Sequence, residues 1–269
     1  MSEDGIFRID KKDHVAWLVL NRPDRRNVMD GDFFTGLTHH IRKLGDDPEV
    51  RVVVIRGEGK SFTAGLDLAW AGALLSGGAG ADAREYMRRE IVKLQESMNV
   101  VEQCPKPVVA AIHSHCIGGG MDLCSACDIR IASEDAVFSV RETRLAIVAD
   151  LGTLQRLPFL VGQGRARELA LTGRDFTARE ALEMGFITTL CKDQAALLAE
   201  AETLADQLAA LPPLTLAGIK DVMNFSRDNG VYPGLAHVAQ KNAAALPSED
   251  LLEAVGAFME KRAPRFKGK

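Results

Sequence analysis

Short continuous apolar runs alternate along the chain with stretches in which apolar residues return every third or fourth position. Residues 15–20 and 51–56 read as buried strands. Between them Phe33, Phe34, Leu37, Ile41 and Leu44 share one helical face behind a cap at Asp30. A Gly/Ala-rich stretch at 71–83, read either as a mobile lid or as a plain surface loop, leads into a helix with Met87, Ile91, Leu94, Met98 and Val101 on one side. Pro105 and Pro107 introduce a strand at 108–112. Gly118, Gly119 and Gly120 open a short helix, strands follow at 129–132 and 137–140, and irregular chain runs to Asp150. Beyond Leu151 the pattern is helical, with a Thr177-x-x-Glu180 capping box and one more strand at 186–190. Past Asp193 only helices are predicted, at 193–210, 213–228, 232–245 and 248–260. The grammar is βαβ, an α/β core with an all-helical C-terminal extension.

Composition narrows the classes. With 269 residues, 46% hydrophobic, 26% charged and 6% aromatic, the chain fits one large domain, or a core with an appendage, and excludes disorder and disulfide scaffolds. Lys plus Arg at 33 against Asp plus Glu at 37 gives a net charge of -4, which offers no overall positive field for nucleic acid or a membrane surface. No apolar run approaches the ~20 residues of a membrane span. Five cysteines are odd in number, the first residues are polar, and Lys267-Gly268-Lys269 matches no peroxisomal or retention signal. The expected compartment is a reducing cytoplasm.

Several motifs fail. Gly57-Glu58-Gly59-Lys60-Ser61 ends like a phosphate loop, but the leading glycine would fall on Val54; no dinucleotide fingerprint survives at Gly57 or Gly162. Cys124-x-x-Cys127 lacks a second pair for zinc and reads as core packing, and His113 and His115 read as structural. No metal site is expected.

Two segments share a logic. Phe62-Thr63-Ala64-Gly65-Leu66-Asp67 and Gly118-Gly119-Gly120-Met121-Asp122 each place glycine-flanked backbone after a strand, where a helix begins. Unpaired N–H groups there point outward with a helix dipole behind them, either as simple turn caps or as two donors converging on one carbonyl oxygen. Each donor of such an oxyanion hole is worth ~3 kcal/mol in the transition state. Nearby lie three acids, Asp122, Glu142 and Asp150. Asp150 sits in the apolar run Leu145-Ala146-Ile147-Val148-Ala149-Asp150-Leu151, and reads as a desolvated proton carrier or as a helix N-cap. Donors plus acids without metal ligands suggest enolate chemistry.

At these residues the chain resembles the crotonase (enoyl-CoA hydratase/isomerase) superfamily. Asn21-Arg22-Pro23 with Asn27, the segment 62–67, Lys106-Pro107-Val108, Gly118-Gly119-Gly120, Cys127-Asp128 and Leu171-Thr172-Gly173 carry the likeness. Within the superfamily, residues 117–130 and 149–158 are most similar to dienoyl-CoA isomerases, which move a 3,5-diene to the 2,4 position in fatty acid β-oxidation. The resemblance implies a spiral of ββα units over residues 1–200 and a helical region, 201–269, that builds a homotrimer or a hexamer as a dimer of trimers. It implies an acyl-CoA thioester substrate, with coenzyme A as part of that substrate and no separate cofactor. The oxyanion hole would be the N–H groups of Leu66 and Gly119, and the substrate would also meet Ala64, Gly65, Asp67, Leu68, Gly120 and Arg26.

Hydratases of this family orient water with two glutamates; here the first position is the shorter Asp122. Position 150 is usually glycine in hydratases and aspartate in dienoyl isomerases. The resemblance therefore implies Glu142 and Asp150 as the proton carriers, with either able to serve C2 or C6, and Asp122 tuning them. The alternative reading is an enoyl-CoA hydratase or another enoyl-CoA isomerase of the superfamily. A non-catalytic or RNA-binding relative of the fold would have lost acids or a basic helix, and this chain has neither. Arg144 and Ala146 stand where those isomerases carry an acid and a glycine, which puts the acyl chain length in question.

Overall fold

The computed structural model describes residues 5–75, 78 and 80–269. The chain runs β1 (Phe7–Lys12), β2 (Val15–Leu20), α1 (Gly31–Asp46), β3 (Val52–Gly57), α2 (Leu68–Leu75), α3 (Ala81–Gln103), β4 (Val108–Ile112), β5 (His115–Ile117) and α4 (Gly119–Ala126). It continues through β6 (Ile129–Ser133), β7 (Val137–Ser139), α5 (Thr153–Val161), α6 (Gln163–Thr172), β8 (Asp175–Thr177), α7 (Ala178–Glu183) and β9 (Thr189–Cys191). Four helices close the chain: α8 (Gln194–Ala209), α9 (Pro213–Asn229), α10 (Val231–Ala245) and α11 (Glu249–Glu260).

Six strands form one sheet in the order β1-β2-β3-β4-β6-β9, antiparallel at β1–β2 and parallel elsewhere. A second sheet, β5-β7-β8, stands beside it. The continuous apolar runs are explained by two-sided burial. Val53, Ile55 and Ala110 face the core shared with α1 and α3, while Val52, Val54, Val109 and Ile131 face Leu197, Ala201, Ala205 and Ala209 of α8. The Asp30 carboxylate caps α1 by accepting from the Phe33 N–H at 3.0 Å, and Thr177 and Glu180 complete the capping box of α7.

Four details depart from the sequence reading. The strand β1 went unpredicted, because Arg8, Asp10, Lys11 and Lys12 break its apolar pattern. The stretch 71–83 is not simply a loop: α2 reaches Leu75 and α3 begins at Ala81, while residues 76, 77 and 79 lie outside the described residues. The strand expected at 186–190 is β9, shifted to Thr189–Cys191; Phe186 and Ile187 are buried in the preceding turn, where the Phe186 carbonyl accepts from Arg130 Nε at 2.6 Å. The expected division at 200/201 falls inside α8, which covers the large sheet, so the helical extension begins with α9. On α9 to α11 large apolar side chains are exposed, including Met223, Tyr232, Phe258 and Met259.

Candidate active site

Backbone geometry builds one half of the site. Beyond β3 the chain passes alongside β5, with single bridges joining Thr63 to Cys116 and Leu66 to Met29. Gly65 makes this approach with φ +86°, and a Cβ there would lie 2.5 Å from the Ile117 carbonyl oxygen and 3.6 Å from the Gly119 nitrogen. Only glycine fits. Gly118, at φ 53° and ψ -115°, turns β5 into α4, so Gly119 is the first residue of that helix. Among the described residues neither the Leu66 N–H nor the Gly119 N–H donates to an acceptor within the chain. Both therefore stand ready for an outside oxygen, the second with the α4 dipole behind it.

Three side chains build the other half. Asp122, one turn into α4, is buried, and its Oδ1 accepts from both the backbone N–H and the hydroxyl of Thr153, each at 2.7 Å. Glu142 opens a short 3-10 turn, Glu142–Leu145. Its Oε1 lies 3.1 Å from where a Cβ on Gly118 would stand, and its Oε2 is buried without a hydrogen-bond partner among the described residues. Asp150 is partly buried at the end of the apolar run, and its carbonyl accepts from Gln95 Nε2 at 2.7 Å.

Burial sets the electrostatics. Desolvation, reinforced by the charges of Asp122 and Asp150, pushes the Glu142 carboxyl up to about 7. Desolvation likewise pushes Asp122 up to about 6, against the two Thr153 hydrogen bonds and with help from the Asp150 charge. Asp150 is raised by desolvation. Glu142 and Asp122 thus titrate where a proton carrier working near neutrality should, and Asp150 is shifted in the same direction.

One cavity of about 700 Å³ brings the halves together. Leu66, Gly119, Asp122, Glu142 and Asp150 line it, as do Ala64, Gly65 and Leu68. Its far wall is apolar, from Trp70 on α2 and Met87, Ile91 and Leu94 on α3. That helical face was visible in the sequence, but nothing there tied it to the acids. Arg144 and Ala146, which the sequence tied to the acyl chain, line it too, and so does Arg141, which was not expected there.

Three expected substrate contacts lie elsewhere. The Asp67 carboxylate accepts from the Ala69 and Trp70 N–H groups and pairs with Arg25, so it caps α2. Gly120 packs against Thr63, whose methyl would stand 2.6 Å from an added Cβ. Arg26 has an exposed side chain and a left-handed backbone, and its carbonyl anchors the Ala64 N–H at 2.9 Å. His113 Nε2–H donates to the Gly59 carbonyl oxygen at 3.0 Å, and the five cysteines are unpaired and buried. Among the described residues no cluster of His, Cys, Asp or Glu is arranged to hold a metal ion.

Comparison with known proteins agrees with this geometry. Residues 10–269 match the family described as Enoyl-CoA hydratase/isomerase. The chain is 43% identical to the peroxisomal Delta(3,5)-Delta(2,4)-dienoyl-CoA isomerase of Arabidopsis thaliana, over 97% of this chain and 95% of the relative. It is 41% identical to the mitochondrial enzyme of that name from Mus musculus, over 93% of this chain and 77% of the relative. Among solved structures, an enoyl-CoA hydratase from Bacillus anthracis superposes with a TM-score of 0.90 at 33% identity, covering 98% of this chain and all of the other. These relatives correct the cytoplasmic expectation, because they are peroxisomal and mitochondrial proteins. Unpaired thiols indicate reducing surroundings, which is not a property of the cytoplasm alone, so the cysteines could not single it out. Sequence match, fold and site together place the chain in the enoyl-CoA hydratase/isomerase family.

Proposed function

We propose that the protein converts 3,5-dienoyl-CoA thioesters to 2,4-dienoyl-CoA. The observation that carries this reading is the meeting of two unengaged N–H donors and three desolvated carboxyls around one apolar cavity. The thioester oxygen accepts from Leu66 and Gly119, which makes the C2 proton acidic. C2 adjoins the carbonyl carbon, and Glu142 lies against Gly118, next to one of the donors. Glu142 therefore takes the C2 proton. Negative charge spreads over a dienolate held by the two N–H groups, and Asp150, further along the wall, delivers a proton at C6. Asp122 is fixed by Thr153 and acts on its neighbours through its charge. No cofactor enters these steps.

Ala64, Gly65 and Leu68 are the proposed substrate contacts, and Arg141 and Arg144 are cations at the same cavity for the anionic coenzyme A portion. The exposed apolar side chains of α9 to α11 support self-association as a trimer or a dimer of trimers, which sedimentation would measure.

One assay pair tests the function. Purified protein is given a 3,5-dienoyl-CoA and, separately, a 2-enoyl-CoA. Growth of conjugated 2,4-diene absorbance, lost in Asp150→Asn, is expected. Rapid hydration of the enoyl substrate with no diene shift overturns the reading in favour of a hydratase, which the double engagement of Asp122 Oδ1 by Thr153 argues against.

A further inference from the structure

The isomerisation breaks the C2–H bond, forms a C6–H bond and slides two double bonds by one carbon, with nothing oxidised or reduced. Each turnover leaves Glu142 one proton richer and Asp150 one proton poorer. The site must reset before it turns over again.

A second cavity, of about 410 Å³, lies behind the turn at 150–152. Asp150 and Leu151 line both cavities, whereas Asp122 and Glu142 line only the apolar one. The inner wall of the second cavity is polar, built by Gln95, Asn99, Glu102, Arg156 and Arg227. Its rim includes Gln155, Phe159 and Asp228, all exposed, so it communicates with solvent. At about 30 Å³ per liquid water, a space of this size and polarity accommodates a hydrogen-bonded water chain.

The partition between the cavities is rigidly held. Gln95 bonds the Asp150 carbonyl, and the Arg156 guanidinium lies so close beneath Gly152 that a Cβ there would stand 1.8 Å from Nη1. Arg156 is held by Glu102, at 3.0 Å from both Nε and Nη2, and by Asn99 at 2.9 Å. Arg227 of α9 closes the network on Glu102.

We propose that Asp150 regains its proton from solvent through this polar cavity, on the side away from the acyl chain, while Glu142 loses its proton through the apolar cavity once product departs. One proton enters and one leaves per turnover. The inference rests on the dienoyl isomerisation proposed above.

Isomerisation of unlabelled substrate in D2O tests it. Wild-type product should carry one solvent deuterium at C6. Gln155→Phe, which sets a ring at the rim of the polar cavity, should lower multiple-turnover kcat severalfold and shift part of the C6 label back to hydrogen abstracted from C2. Its KM, single-turnover rate and Tm should stay those of wild type. Wild-type product bearing the C2 hydrogen at C6 overturns the inference, because the acids would then exchange directly. So does a Gln155→Phe protein indistinguishable from wild type in kcat and label. If Gln155→Phe does not fold, Gln155→Leu takes its place and the wild-type label still decides. Absence of any diene shift instead overturns the isomerase reading, and this inference with it.

Discussion

The backbone N–H and the hydroxyl of Thr153 both donate to one oxygen of Asp122, which fixes that carboxyl inside the site and keeps it beside Glu142. The Asp122 charge is one of the causes that raise Glu142 to about 7. Glu142 works as a base only when ionised, so kcat/KM should fall as pH drops through that value. Asp122→Asn removes the repelling charge and should move this acidic limb to lower pH. A pH profile whose limb stays where wild type has it would falsify the electrostatic role given to Asp122.

Glu142 also links stability to pH. Its folded-state value of about 7 lies above its ordinary 4.5, so the folded state binds the proton more tightly than the unfolded chain. The fold is therefore penalised as pH rises from below 4.5 through 7, by roughly 3 kcal/mol at the alkaline end. Glu142→Gln should raise Tm at pH 8, do little at pH 5, and lower kcat by about 10²–10⁴-fold. Equal Tm changes at both pH values would show that the carboxyl is not desolvated.

Gly65→Ala should damage the donor half of the site. Its methyl would meet the Ile117 carbonyl at 2.5 Å with φ +86°, so the segment carrying Leu66 must move. A loss of about 10²–10³-fold in kcat is expected, the effect of removing one oxyanion donor. Calorimetry alongside kinetics separates this from unfolding.

Arg156→Met should cost about 1–3 kcal/mol, measured by denaturant unfolding, because it strips one of two cationic partners from a half-buried carboxylate. Burial alone would raise Glu102, and the hydrogen bonds from Arg156 and Arg227 hold it below its ordinary value instead. Adding Glu102→Gln to Arg156→Met should recover part of the loss; strict additivity of the two changes would rule out the coupling.

The acids were legible in the sequence because an aspartate amid Ile, Val, Ala and Leu is conspicuous, and the donors because glycines cluster only where backbone must come close. The family resemblance made Asp67 an expected substrate contact, yet a carboxylate at that spot serves the new helix first. Leu68–Leu75 is apolar on every side, so no periodic stripe announced α2. The apolar wall depends on α2 and α3 converging across the acids, a long-range relation that local pattern does not encode.

Gly65, Gly118 and the two single-residue bridges hold the two proposed oxyanion donors through main-chain geometry alone. Proton movement, in the proposed mechanism, falls by contrast to the side chains of Glu142 and Asp150, mounted on separate elements, with Asp122 on a third setting the local charge. A change of reaction on this scaffold thus requires no rebuilding of the anion-stabilising apparatus. Redesign toward hydration, decarboxylation or ring opening can proceed at positions 122, 142 and 150, one carboxyl at a time, with the thioester still gripped in the same place.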